Sequence, residues 1–214
     1  MRLPLPQFSV SARSPQHFAE VVETETTGFL AQCLEPEALN FAQMPAFGSW
    51  VQAMDEESGN CIYGVVYHAT TSPLDSVHRA TALGLSLAEL REQQPQIFAM
   101  LKTEFRVAIV GYRAEGMGDR CYQHLPPRPP QVHQAVYRCD PEAVMAFTER
   151  LDFLRTLMDM GSAPVDGLIG AVIRTVYQMR QLDRDWLVQA GRTLNVLLKD
   201  DYDRLRVILS QIHP

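Results

Sequence analysis

The spacing of apolar residues changes once along this chain, near residue 140, and that change constrains the fold more than any other feature. Before it, "AEVVETET" (19–26), "GFLAQCL" (28–34), "GSWVQAM" (48–54), "CIYGVVYHATT" (61–71) and "FRVAIVGYR" (105–113) are short β-branched and aromatic runs set off by glycine, proline and acidic residues. They read as strands. In "CIYGVVYHA", Ile62, Gly64, Val66 and His68 share one face, and Tyr63, Val65 and Tyr67 share the other. Both faces are largely apolar, as expected of a strand that crosses a barrel wall with a second layer packed against it. Between residues 85 and 103 the spacing is helical through Leu87, Leu90, Ile97, Met100 and Leu101, interrupted by Pro95, which predicts a helical insertion between strands.

Beyond residue 140 the period becomes 3.6. Asp140 before Pro141 reads as an N-cap followed by proline at the first helical position, where a missing N–H costs nothing. Val144, Phe147, Leu151, Leu154 and Met158 form one stripe, and Gly161 with Pro164 ends that helix and opens the next. A second stripe runs from Val165 to Met179. From Asp183 onward apolar residues recur at helical intervals, and Asp200 and Asp201 mark a re-capping point between two helices. The pairs Leu197/Leu198 and Ile208/Leu209 widen the apolar face beyond what one neighbour needs, so the barrel or another chain is expected to cover the excess. The expected class is therefore α+β: a small N-terminal antiparallel β-barrel over residues 1–139, with the insertion near 85–103, then an α-helical domain over 140–214.

Composition narrows the function classes. At 214 residues, 46% hydrophobic and 21% charged, the chain is long enough to bury a substantial core. The net charge of −6 argues against a general electrostatic grip on nucleic acid or anionic lipid, and no direct nucleic-acid binding is expected. Of 19 basic residues only Lys102 and Lys199 are lysines, a balance suited to fixed carboxylate pairing. No apolar run has the length of a membrane span, and the first residues lack the apolar stretch of a signal peptide. Cys33, Cys61, Cys121 and Cys139 are scattered without a C-x-x-C pair, which disfavours a disulfide framework. The expected location is the cytoplasm.

Chemistry-bearing motifs are few. A P-loop needs Gly-Lys-Ser/Thr, whereas both lysines follow leucine. "GYRAEGMGDR" (111–120) supplies glycines with no helix to present its N-terminus to a phosphate, and reads as a hairpin. Cys121, His124, His133 and Cys139 have the ligand types of a structural zinc. In extended chain, however, an offset of three puts Cys121 and His124 on opposite faces, so no metal is expected. Glu23 and Glu25 share a strand face but read as a solvated rim pair. Neither a catalytic residue nor a cofactor is assigned. Pro126-Pro127-Arg128-Pro129 fits a PxxP template, but it stands between well-patterned segments and reads as a stiff corner in polyproline geometry.

The order "AEVVETETTGFLAQCL", Gly48 to Val51, "IYGVVYHATT", "TEFRVAIVGYR" and "LPPRPPQVHQAVYRCDPEAVMAF" resembles the HAS barrel, the small β-barrel shared by HerA-type DNA-translocating ATPases and catalytic-core subunits of rotary ATP synthases. The resemblance spans residues 19–145, and the helical tail is similar to that of a narrower cyanobacterial group built on this barrel. One departure is clear: Pro130 is followed by Gln131, where HerA-type barrels usually carry Pro-Gly. The resemblance implies that the proline cluster marks the exit from the last barrel strand. It also implies a non-catalytic module that self-associates or joins protein partners, such as a multimeric ATPase or a nucleic-acid-processing complex. The alternative is a small enzyme or ligand-binding protein using a cleft between barrel and helices, with His68 or His78 as its working histidine. Because the Gly-Lys-Ser/Thr signature is missing and the charge is acidic, calorimetry on the purified protein should show no saturable micromolar binding of ATP.

Overall fold

The computed structural model describes residues 16–34, 42–74, 81–116, 120–161 and 164–212. His78 and the first fifteen residues lie outside this set. The strands are β1 (His17–Glu25), β2 (Gly28–Cys33), β3 (Trp50–Asp55), β4 (Asn60–Pro73), β5 (Leu101–Arg113), β6 (Cys121–Tyr122) and β7 (Ala135–Arg138). They pair antiparallel in the order β2-β1-β7-β3-β4-β5-β6. A further ladder between β2 and β5, from Gly28↔Ala108 to Gln32↔Glu104, closes six of these strands into a barrel. Closure covers the edges of β2 and β5 along that ladder. The short β6 continues the sheet beyond it, pairing with the end of β5 through Tyr112↔Tyr122 and Arg113↔Cys121.

The barrel wall is apolar on both sides. Its interior holds Val21, Phe29, Ile62, Val66, Phe105 and Val107, among others. Its outer face contributes Trp50, Tyr63, Val65, Ala108 and Val110 to a second core shared with the C-terminal helices. Alternation along β4 thus does what the sequence implied, up to Val66. A bulge in the β4–β5 register between Val66 and His68 then shifts the pattern by one residue. As a result Ala69 packs on the interior and His68 is exposed, although strict alternation from Ile62 assigns His68 to the inner face.

The insertion folds as α1 (Leu87–Gln93) and α2 (Gln96–Ala99). A capping box starts α1: Ser86 Oγ accepts from Glu89 N, and Ser86 N donates to Glu89 Oε2 at 2.7 Å. Helical spacing stops at Ala99 rather than Leu101, because Leu101 already pairs with Pro73 in the sheet.

Five helices follow: α3 (Pro141–Phe147), α4 (Phe153–Met158), α5 (Val165–Met179), α6 (Arg184–Leu197) and α7 (Tyr202–Ser210). The single stripe expected from Val144 to Met158 is two short helices. Gln123, just after β6, holds the chain between them: its Nε2 donates to Arg150 O (2.9 Å) and Phe147 O, and its Oε1 accepts from Phe153 N (3.0 Å). Trp186 Nε1 donates to Thr148 O at 2.9 Å from the other side. These bonds satisfy helix-end groups that a continuous helix would have paired internally. The cap at α7 is as read, Asp201 accepting from Arg204 N, and α6 has one too: Asp183 accepts from Asp185 N and Trp186 N. Asp140 occupies the N-cap position of α3, but its side chain makes no capping bond.

The excess apolar face of the tail is only partly covered within the chain. Trp186, Leu194, Leu198 and Ile208 are buried in the shared core, while Val188, Val196, Tyr202 and Leu209 stay exposed.

Gly48 sets how closely the barrel approaches α5. It has φ +80°, and an added Cβ would lie 2.9 Å from Ala171 Cβ. Gly48→Ala should therefore lower stability by about 1–2 kcal/mol or more. By contrast, a Cβ on Gly191 in α6 meets nothing within 4 Å. Gly191→Ala should raise stability by roughly 0.5–1 kcal/mol through helix propensity. Denaturant melts of the two variants test both signs.

Candidate functional site: the proline corner and the cleft beside it

The segment from Tyr122 to Tyr137 joins β6 to β7, so the prolines lie ahead of the strand that completes the barrel. This corrects the expectation that they mark the exit from the last barrel strand. The exit toward the helices is Cys139–Asp140, after β7. Pro126 and Pro130 are buried, and Pro130 O accepts from Thr24 Oγ1 at 2.7 Å. Arg128, the cation of the PxxP template, faces the β3–β4 hairpin, where its Nε lies 3.6 Å from Asp55 Oδ2 and its Nη1 pairs with Glu57. Asp55 is 1% exposed and also accepts from Glu57 N and Ser58 Oγ. A buried carboxylate of this kind needs its donors and its counter-charge.

The departure at Gln131 has a structural answer. Gln131 N donates to Gln134 Oε1 (2.8 Å), and Gln131 Nε2 donates to Glu57 Oε1 (2.9 Å). Gln134 N closes the turn on Gln131 O, and the positive φ that a glycine would favour falls on His133 instead, at 70°. The corner is thus tied to the barrel at Thr24, at Val21 (which accepts from His133 N) and at the β3–β4 hairpin.

Where the corner meets the helices, a cleft of about 660 Å³ opens between barrel and α4. Ala108 and Ile109 of β5 and Tyr67 of β4 belong to its barrel side, Thr27 to the β1–β2 turn, and His124 and Leu125 to the corner. Thr156, Asp159, Met160 and Gly161 complete it from α4 and the turn after it. His124 is stacked edge-on against Tyr112 and Tyr122, at 5.5 and 5.7 Å between ring centroids. Its Nδ1 lies 3.0 Å from Leu125 O; a carbonyl only accepts, so Nδ1 carries the proton and Nε2 of the neutral ring is left as an acceptor.

The other residues singled out in the sequence do not converge on this cleft. His68 is exposed and is not among the lining residues. Cys121 and Cys139 pack against the shared core, His124 faces the cleft, and His133 is exposed in the turn, so the four zinc-type ligands are spread over different surroundings. Among the described residues no three His, Cys, Asp or Glu side chains are placed to share a metal ion. Burial raises the thiol pKa of Cys61 and Cys139 and pushes Cys33 up to about 11, which keeps these groups protonated and poorly nucleophilic near neutral pH. Glu23 is solvated, 4.0 Å from Arg106.

The fold and the family agree. The HAS barrel domain family matches residues 18–115, the segment that supplies five of the six strands of the closed barrel. Residues 18–115 are a HAS barrel domain. The sixth strand of this HAS barrel, β7, comes from beyond the matched segment, as do the proline corner and the helices. No curated protein matches the chain.

Sequence reasoning allowed for a cleft between barrel and helices but did not find its lining. Its residues come from five separate stretches, and those that the sequence reading names, Tyr67, His124 and Gly161, carry other readings there: strand face, zinc-type ligand and helix end. It also missed Asp55 and Glu57, which look like hairpin punctuation until Arg128 is seen beside them. Replacing Pro126, Pro127, Pro129 and Pro130 together by Ser should lower the melting temperature, each restraint being worth about 0.4–1 kcal/mol. Arg128→Ala should also destabilise, because it leaves Asp55 buried without its cation. Unchanged melting with loss of a bound partner in pull-downs would instead identify the segment as a ligand.

Proposed function

We propose that this chain is a non-catalytic interaction and assembly module, in which the HAS barrel and its helical layer join, cap or regulate a multi-subunit complex. The observation that carries the reading is the outward surface of α6 and α7. These helices bury Trp186, Leu194 and Ile208 in the shared core, beside α5, yet leave Val196 and Tyr202 each 69% exposed, with Val188, Val207 and Leu209 also solvent-facing. Large apolar side chains kept on the outer side of helices whose inner side is already satisfied favour a protein surface as their partner. The resemblance of the barrel to those of HerA-type and rotary ATPases makes a multimeric ATPase or a nucleic-acid-processing complex the natural class of assembly, by analogy of fold. The absence of a P-loop signature in the sequence is consistent with an accessory rather than a motor role.

This reading puts the chain in the cytoplasm, with protein rather than membrane or nucleic acid as its direct partner. No helix among the described residues is long and apolar enough to cross a membrane. The rival reading, a small enzyme or ligand-binding protein, draws its support from the cleft between barrel and α4.

Light scattering over a concentration series, paired with affinity purification from native cells, tests the assembly reading on the full chain. The expected result is a mass that rises with concentration, or a stoichiometric co-purifying protein, with either one lost in the V188E/V196E double variant at unchanged melting temperature. A truncation at Asp183 is not a useful test, since it removes Trp186, Leu194 and Ile208 from the core. A monomer at every concentration with no co-purifying protein would defeat the proposal.

A further inference from the structure

The cleft between the HAS barrel and α4 has the size of a small-molecule site, at about 660 Å³. Its barrel side is apolar: Ala108 stands on the outer face of β5 with β4 and β2 beside it, and Ile109 borders the cleft while packing in the barrel interior. Leu125 and Met160 add flexible apolar surface at the mouth, with Leu125 39% exposed although it sits in a buried-proline corner. Tyr67 supplies an aromatic ring that is half-buried against the shared core.

The polar groups share one character. Among the described residues Asp159 is the only lining residue of fixed charge, and its carboxylate has no ion pair with any of them. His124, with its Nδ1 proton committed to Leu125 O, offers only Nε2 as an acceptor when neutral. Thr27 and Thr156 hydroxyls can accept as well as donate. Among the described residues no arginine or lysine lines the cleft, and the whole chain carries a net charge of −6. An anion would meet a carboxylate with nothing to compensate it. A neutral apolar molecule would use the floor and leave the acceptors idle. A cation with N–H donors on an apolar body uses both, and an aromatic face beside it adds cation–π attraction.

We propose that this cleft binds a small organic ammonium compound, its apolar body against Ala108, Leu125 and Met160 and its ammonium group held by Asp159 and the acceptor nitrogen of His124. The site stands apart from the outer surface of α6 and α7, so it is independent of the assembly reading and survives or fails on its own test.

The probe is 2-phenylethylammonium, compared with 2-phenylethanol and phenylacetate, which keep the aryl body but carry a neutral or an anionic head. Full-length protein labelled at the methionine and alanine methyl groups reports occupancy through Met160 and Ala108, with assignments from Met160→Leu and Ala108→Gly. The expected result is a saturable shift of both methyl signals with the ammonium probe. The alcohol should bind roughly fivefold more weakly, the span of a solvent-accessible charge pair, and phenylacetate should give no saturable shift. Asp159→Asn, at an exposed turn position that leaves the core intact, should reduce the ammonium affinity to that of the alcohol. Binding of phenylacetate as tight as that of the ammonium would overturn the proposal. So would an ammonium affinity unchanged in Asp159→Asn, or no shift at Met160 and Ala108 up to the solubility limit.

Discussion

The structure depends on a sheet that must be covered on both sides. β4 and β5 place Ile62, Val66, Phe105 and Val107 into the barrel and Tyr63, Val65, Ala108 and Val110 out of it, so closing the barrel satisfies only half of their apolar surface. The outer half is covered by an aromatic cluster at the seam with the helices. Phe147 lies 4.9 Å from Tyr63 and 5.6 Å from Trp50 between ring centroids, and Phe153 lies 5.4 Å from Trp50. Each such pair adds about 0.5–1.5 kcal/mol beyond its burial. Gly111 belongs to the same seam: a Cβ there would stand 2.2 Å from Tyr122 O and 2.8 Å from Phe147, so the β5–β6 approach and the seating of Phe147 both rely on its absence. The helical region is therefore the second wall of the barrel's core rather than an appendage.

That requirement explains why the helices are broken where they are. A continuous helix from Pro141 to Met158 would carry Phe147 and Phe153 on a straight axis. Splitting it at residues 148–152 lets both rings reach Trp50, and the bonds from Gln123 and Trp186 satisfy the backbone that the break exposes. Gln123 is positioned by β6, and β6 by the end of β5. The same stretch of chain then turns through the prolines to deliver β7 between β1 and β3. The corner, the kink and the seam are thus one construction, and the cleft is the gap left where the corner passes α4.

The pattern of charge follows from this construction. Arg128 is held against Asp55 and Glu57, Arg180 lies over Trp186 and pairs with Glu149, and Arg204 pairs with Asp166 between α7 and α5. These fixed forks suit arginine, which is nearly the only cation the sequence uses. They fasten hairpin to corner and helix to helix, and none of them lies in the cleft, whose only fixed charge among the described residues is Asp159.

The sequence by itself determined the parts whose physics is local. Two-residue alternation through "CIYGVV" requires a sheet with two apolar faces, the 3.6 period after residue 140 requires helices, and Asp201 starts the last of them because a short acceptor side chain satisfies free N–H groups within the first turn. Its resemblance to the HAS barrel rests on the same strand pattern. Only the tertiary structure decided the rest. The bulge before His68 is invisible in composition because one extra residue leaves the run just as apolar while turning every later side chain over. The break at residues 148–152 is set by Gln123, which reaches it across 24 to 30 positions of sequence. The partner of Arg128 lies more than 70 positions away in Glu57 and Asp55. The cleft is drawn from residues between Thr27 and Gly161. Spacing along a chain encodes which face a residue takes within its own element, whereas which elements meet is fixed by burying two apolar faces at once, and that is a property of the closed barrel.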